Sequence, residues 1–278
     1  MESGRSTMHR ASKTALGSTL AAIKCIAVYA VLAGVSGAFA CEKPVYLTFD
    51  TGHMEVAPLV ADVLRRNKVR VTFFAANEPT KVGAGSLSND WAPWWKARAA
   101  EGHEFASHTY DHAYWRGDER SVAPRFRIRP SAGALAGREF TWDAKKYCEN
   151  IAYAAERLQD FTGKKTLPLF RAPGGKTSPK LLAVAQACGY AHVAWAPAGF
   201  LGDELPSEKF SNAALLKKAL KDIRPGNILL AHLGVWSRKD PWAPADLEPL
   251  IVGLKEQGFC FDTLREHPQY QAWIAAHP

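Results

Sequence analysis

Side chains able to do acid–base or metal chemistry recur in this sequence directly after short apolar runs. They are Asp50, His108, Arg171 and His232. A carboxylate buried without partners costs several kcal/mol, so Asp50 must be either paired or used in chemistry. An imidazole changes its protonation near neutral pH, which makes His232 a candidate proton donor. The pattern indicates acid–base chemistry gathered where strands end.

A second histidine follows His108 at a spacing of four residues. On one helical turn, His108 and His112 would share a face, so both imidazoles can bind one metal ion. The zinc-protease motif requires Glu directly after its first His, whereas this sequence has Thr109. The pair therefore predicts a metal site of another class, and the alternative is that both histidines are structural.

Arg171 opens the segment Arg171-Ala172-Pro173-Gly174-Gly175. Its guanidinium offers a rigid fork for a carboxylate, and Asp50 is the natural partner. Backbone amides near Gly174 are suited to holding an oxyanion, the alternative being an ordinary tight turn.

Seven short apolar strands must position these groups, and they alternate mostly with helices. The strands are predicted at 45–47, 69–74, 105–107, 168–170, 191–195, 228–231 and 259–263, and the helices at 56–66, 91–101, 142–162, 179–188, 211–222 and 244–257. Such alternation implies crossover connections and a parallel sheet. Catalytic groups at the ends of several different strands are typical of a barrel mouth, whereas an open sheet uses mainly one switch point. We therefore predict an α/β fold of one domain, a distorted (β/α) barrel of about seven parallel strands.

Residues 113–140 interrupt the alternation with a long stretch that holds no period. Its aromatic residues favour a packed cover over the domain, and a glycan cleft is the alternative.

The motifs, taken in order, resemble those of the polysaccharide deacetylases, the NodB-homology or carbohydrate esterase family 4 domain. They are Thr48-Phe49-Asp50, His108-Thr109-x-x-His112, Arg171-Ala172-Pro173-x-Gly175 and Leu230-x-His232, within a core of 45–264. The resemblance implies a distorted barrel that removes N-acetyl or O-acetyl groups from a polysaccharide with a divalent metal, usually zinc. It further implies Asp50 as the base, Arg171 as the residue that tunes it, His232 as the acid and His108 and His112 as metal ligands.

The resemblance also assigns the walls of the acetyl pocket, which are Gly174, Leu230 and Trp195. The family's later acidic position is out of step in this sequence, and we expect Asp203 to stand in for it beside the pocket.

The main departure from the family is Thr51, because the family carries its third metal ligand, an aspartate, at that position. His53 is our first candidate for the missing ligand, since it lies near the predicted barrel mouth and would complete a three-histidine site. Two alternatives are that Asp50 binds the metal itself or that the metal site is weak or empty.

Residues 1–40 have the composition of a secretory signal peptide, with four basic residues around and before an apolar stretch and Ala38-Phe39-Ala40 at the end. We expect cleavage after Ala40 and a secreted or periplasmic domain over 41–278, with an uncleaved membrane anchor as the alternative. The mature cysteines would be Cys41, Cys148, Cys188 and Cys260, and one or two disulfides are compatible with such a compartment.

Charge excludes one class of partner. The whole chain has 35 basic and 27 acidic residues, and residues 1–40 hold four and one of these, which leaves a net charge of +5. No run of Lys and Arg suited to nucleic acid is present, whereas an anionic cell-wall polymer suits this balance. We expect an acetylated polysaccharide as the substrate and no protein partner. The alternative functions are a catalytically impaired glycan-binding protein and a hydrolase of a non-sugar amide bond.

Overall fold

The structure is a computed structural model that describes residues 41–278, so the predicted leader lies outside the described residues. The strands are β1 (Pro44–Asp50), β2 (Thr72–Ala75), β3 (Glu104–Ser107), β4 (Ala113–Asp118), β5 (Arg125–Pro130), β6 (Phe140–Asp143), β7 (Leu169–Phe170), β8 (Ala191–His192), β9 (Ile228–His232) and β10 (Cys260–Phe261). The helices are α1 (Ala57–Arg66), α2 (Ala92–Ala100), α3 (Ala144–Thr162), α4 (Pro179–Ala187), α5 (Asn212–Asp222), α6 (Leu247–Glu256) and α7 (Pro268–Ala276). None of the helices within 41–278 is long and apolar enough to cross a membrane.

Seven parallel strands form the main sheet in the order β10-β1-β2-β3-β7-β8, with β9 also pairing with β1. Strand β10 meets the beginning of β1, and β9 runs beside its remainder up to the register pair Asp50 and His232. Beyond β8 the chain turns back to β9, where the Ala196 amide donates to the Ile228 carbonyl at 3.1 Å. The sheet therefore curls on itself, which confirms the predicted distorted barrel of parallel strands.

The two faces of β1 explain why Asp50 points inward. Val45, Leu47 and Phe49 pack into the core shared with α1, α2 and α6. Tyr46 packs on the opposite side, with Phe74 and Ile228. Because side chains alternate along a strand, Asp50 falls on the same face as Tyr46, inside the barrel.

The stretch 113–140 is more regular than the sequence analysis predicted. Strands β4, β5 and β6 form a three-stranded antiparallel sheet. In β5, Phe126, Ile128 and Pro130 are buried while the three intervening arginines are exposed. This strict alternation of buried and exposed side chains is the pattern of a half-buried strand. Helix α7 was also not predicted.

Two disulfides join the four cysteines within residues 41–278, Cys41 with Cys260 and Cys148 with Cys188. The first attaches the residue before β1 to β10, and the second ties α3 to the end of α4. The sequence left this pairing open.

Candidate active site

Asp50 and Arg171 form a buried ion pair at the barrel mouth. The Nη1 of Arg171 donates to Oδ1 of Asp50 at 2.6 Å, and both side chains are almost fully buried. The guanidinium is held from two further directions, by the Val193 carbonyl at 3.3 Å and by the face of the Phe74 ring at 4.1 Å. Burial alone would raise the pKa of Asp50, but the charge of Arg171, assisted by His108 and His232, holds that pKa below its ordinary value. Asp50 is therefore a carboxylate at neutral pH.

His232 lies across the mouth from Asp50 and is paired with Asp203. The backbone amide of His232 donates to Oδ2 of Asp203 at 2.6 Å, and the Nδ1 atom lies 3.1 Å from Oδ1. Burial would lower the pKa of His232, but the Asp203 carboxylate outweighs it and raises this pKa to about 10. Because Nδ1 faces Asp203, Nε2 is the nitrogen left for proton donation. His232 is thus an imidazolium at neutral pH.

The contact with His232 determines where the Asp203 side chain lies. Asp203 is predicted beside the acetyl pocket, but its carboxylate lies behind His232 and lines a neighbouring cavity. The acidic partner of His232 is therefore supplied eight residues after Trp195, in the loop before α5.

His108 and His112 converge on one point. Their Nε2 atoms are 3.2 Å apart, and Nε2 of His108 is 3.4 Å from Oδ2 of Asp50. The helical turn predicted for this segment is wrong, because Thr109 and His112 adopt left-handed backbone angles, with φ of 61° and 47°. The Thr109 hydroxyl accepts from the Ala113 amide at 2.8 Å and holds the tight turn that brings the rings together.

The donor set of this histidine pair fits a divalent cation. Nδ1 of His108 contacts the Arg171 carbonyl at 2.9 Å, and Nδ1 of His112 contacts the Ser131 hydroxyl. A carbonyl only accepts, so His108 carries its proton on Nδ1 and turns the lone pair of Nε2 into the pocket. Burial lowers the pKa of His108 to about 4, which keeps this ring neutral, as a metal ligand must be.

His53, predicted as the third ligand, makes its contacts away from that pair. Its amide donates to the Gly234 carbonyl at 3.1 Å, its Nδ1 accepts from the Glu55 amide at 3.2 Å, and its ring packs edge-on against Trp236. These contacts hold the ring at a neighbouring cavity. Within residues 41–278, no three His, Cys, Asp or Glu side chains already surround one point as metal ligands.

One pocket collects the remaining groups. Gly174, Leu230 and Trp195 line it together with Asp50, the histidine pair and His232. Further lining side chains include Glu78, Tyr114, Glu204 and Trp236, and of these no sequence pattern had singled out Glu78 or Trp236. Glu78 follows β2, so its position after a strand end was the available signal. Trp236 had no comparable signal, because the loop after β9 brings it to the mouth, whereas Tyr114 belongs to the aromatic stretch 113–140, for which a glycan cleft was the alternative prediction.

The sequence is similar to a known protein family and to individual known proteins. The family model described as polysaccharide deacetylase matches residues 39–193. The chitooligosaccharide deacetylase of Azorhizobium caulinodans is 25% identical over 233 residues, which cover 80% of this chain and 93% of the relative.

Two solved structures illustrate the likeness in fold. A family 4 acetyl xylan esterase from Clostridium thermocellum, in complex with a cobalt ion, has a TM-score of 0.61 at 21% identity, covering 83% of this chain and 92% of its own. A CE4 family pseudoenzyme from Bacillus anthracis has a TM-score of 0.58 at 19% identity, covering 81% of this chain and 65% of its own.

Proposed function

Because the chain belongs to the polysaccharide deacetylase family, we propose that it hydrolyses acetyl groups, chiefly N-acetyl, from an extracellular or cell-wall polysaccharide. The family assignment made from the motifs is confirmed. The proposal extends it to this chain's own activity, to a divalent cation, with zinc as the first candidate, and to a secreted or periplasmic location.

The observation that carries the proposal is the opposed protonation of two groups at one pocket. The pKa of Asp50 is held low by Arg171, and the pKa of His232 is raised to about 10 by Asp203. One side of the pocket therefore offers a proton acceptor and the other a proton donor at the same neutral pH. A protein that only bound glycans would not need this pair.

Amide hydrolysis uses these groups in sequence. Asp50 accepts a proton from the attacking water, and His232 donates one to the leaving amine. A carboxylate of low pKa is a weak base towards ordinary water. His108 and His112 would hold a divalent cation, which when bound would supply the missing activation by lowering the pKa of a water to roughly 7 and polarising an acyl carbonyl. Trp195 and Leu230 line the pocket with apolar surface, against which an acetyl methyl group would pack.

The proposal is tested by acetate release from chitin oligomers and from cell-wall glycan, with and without a chelator. We expect Asp50→Asn to lower the rate by about 10²- to 10⁴-fold, the usual contribution of a general base. Asp246→Asn is the matched control, because Asp246 is also a buried aspartate but lies at the start of α6, outside the pocket. Full activity in Asp50→Asn, or in the presence of the chelator, contradicts the proposal.

One observation supports a second candidate. Thr51 stands where the family carries an acidic metal ligand, and one structural neighbour is described as a pseudoenzyme. The alternative is a glycan-binding protein without hydrolysis. Retention of the same oligomers without acetate release, at any concentration of added Zn²⁺, identifies it.

A further inference from the structure

We propose that Glu78 is the third protein ligand of the divalent cation held by His108 and His112, in place of the carboxylate that Thr51 lacks. The inference rests on the proposed function in one respect, since that function is what calls for the cation.

The positions of Thr51 and Glu78 follow from the pairing of β1 with β2. These strands are parallel neighbours, and their register continues beyond their ends, because the Thr51 amide donates to the Phe74 carbonyl at 3.0 Å. The Thr51 hydroxyl accepts from the Ala76 amide at 3.0 Å and lies 2.7 Å from Oε2 of Glu78. The position that would carry the acid is thus in direct contact with an acid from the next strand.

The backbone at Glu78 is fixed, so its carboxylate reaches the pocket from a defined point. Its amide donates to the Ser86 hydroxyl at 3.1 Å, and its carbonyl accepts from the Ser86 amide at 2.9 Å. The side chain is 17% exposed, and its Oε1 lies 3.8 Å from Nδ1 of His112. One carboxylate oxygen is therefore held by Thr51, while the other faces the Nδ1 edge of the His112 ring.

Charge favours a cation at this point. Within residues 41–278, Glu78 forms no ion pair with a lysine or an arginine, and the titratable side chain nearest to its Oε1 is the imidazole of His112. A largely buried carboxylate without a cationic partner is costly, and a bound metal ion removes that cost. The other acids at the mouth are differently placed: Asp50 is neutralised by Arg171, and Asp203 holds His232.

The resulting ligand set is chemically familiar. Two imidazoles and one glutamate form a three-ligand site of the kind that leaves a coordination position open for catalysis. Assembly requires rotation of the Glu78 carboxylate, because Oε1 now faces Nδ1 of His112 while the metal-binding nitrogens are the Nε2 atoms.

The test measures zinc affinity by titration calorimetry on the metal-free protein, with no substrate present. We expect Glu78→Gln to weaken Zn²⁺ binding by at least about 100-fold, more than the loss typical of a residue that only orients a ligand. The matched control is Glu204→Gln, because Glu204 lines the same pocket but is exposed to solvent. This control should leave the affinity within about threefold. In the double variant Thr51→Asp/Glu78→Gln, which moves the carboxylate to the family's position, we expect tight binding to return.

The possible outcomes separate this inference from the proposed function. Equal Zn²⁺ affinity in the unsubstituted protein and Glu78→Gln overturns the inference, even if acetate release is normal. Zinc binding that depends on Glu78, without acetate release, supports the inference and refutes the function. If Glu78→Gln does not fold, Thr51→Val is measured instead, and its expected loss is about 10- to 100-fold; an unchanged affinity in that variant overturns the inference.

Discussion

Asp203→Asn is the substitution that most directly tests how this site sets its protonation. The pKa of His232 is raised from 6.5 to about 10, against the effect of burial, chiefly by Asp203 and to a smaller extent by Asp50 and Glu204; the whole shift is equivalent to about 5 kcal/mol in favour of the imidazolium. Asparagine keeps a side-chain oxygen for the backbone amide of His232 but removes the charge. The pKa of His232 should then fall towards its ordinary 6.5, because burial opposes the charged form and only Asp50 and Glu204 still favour it.

The size of the effect depends on pH. With a pKa of about 10, His232 is about 99% protonated at pH 8, whereas with a pKa of about 6.5 only about 3% is protonated. At pH 5.5 the variant would still be about 90% protonated. We therefore expect about a 30-fold loss of activity at pH 8 and less than a twofold loss at pH 5.5.

The assay is the pH profile of kcat/KM for acetate release between pH 5.5 and 10, with Asp246→Asn as the control. The alkaline limb should move from near pH 10 towards pH 6.5. The stability of the unsubstituted protein should change with pH in the same direction as its activity. The His232–Asp203 pair contributes to the free energy of unfolding below pH 6.5, and this contribution is lost as the pH rises through about 10. An unmoved alkaline limb, or an equal loss at every pH, would refute the assignment of His232 as the acid tuned by Asp203.

Two further predictions concern the support of the site. Arg171→Met should lower the free energy of unfolding by about 3–5 kcal/mol near pH 7, because it leaves Asp50 as a buried, uncompensated charge. Denaturant unfolding measures this loss. An unchanged free energy of unfolding at pH 7 contradicts the prediction. The double variant Cys148→Ser/Cys188→Ser should lower the free energy of unfolding by about 2–4 kcal/mol, since it removes a cross-link between α3 and α4. The pH profile of its acetate release should keep its shape. Calorimetry tests the loss of stability, and the pH profile tests the unchanged chemistry.

The sequence predicted the barrel well because its strands are short, apolar and bounded by clear turns. Asp50, His108, Arg171 and His232 were found at strand ends for the same reason, since a buried strand that stops at a polar residue is visible in one dimension. Sequence-based prediction was less accurate where the structure depends on something other than the local pattern of apolar and polar residues. The His108–His112 turn depends on left-handed backbone angles at Thr109 and His112. Because neither residue is a glycine, the sequence does not predict these angles.

The proposed third ligand shows most clearly what the sequence determines and what only the tertiary structure decides. By itself the sequence determined the family, the parallel barrel, the groups at the strand ends and the departure at Thr51. Only the tertiary structure decided what accompanies that departure, because β1 and β2 are adjacent in space and bring Thr51 within 2.7 Å of Glu78, a residue 27 positions away. The same holds for Asp203, which meets His232 across 29 positions. Local patterns fix strands and their ends through side-chain alternation and turn chemistry, whereas partners across the barrel are set by strand order and register, which a single sequence does not display.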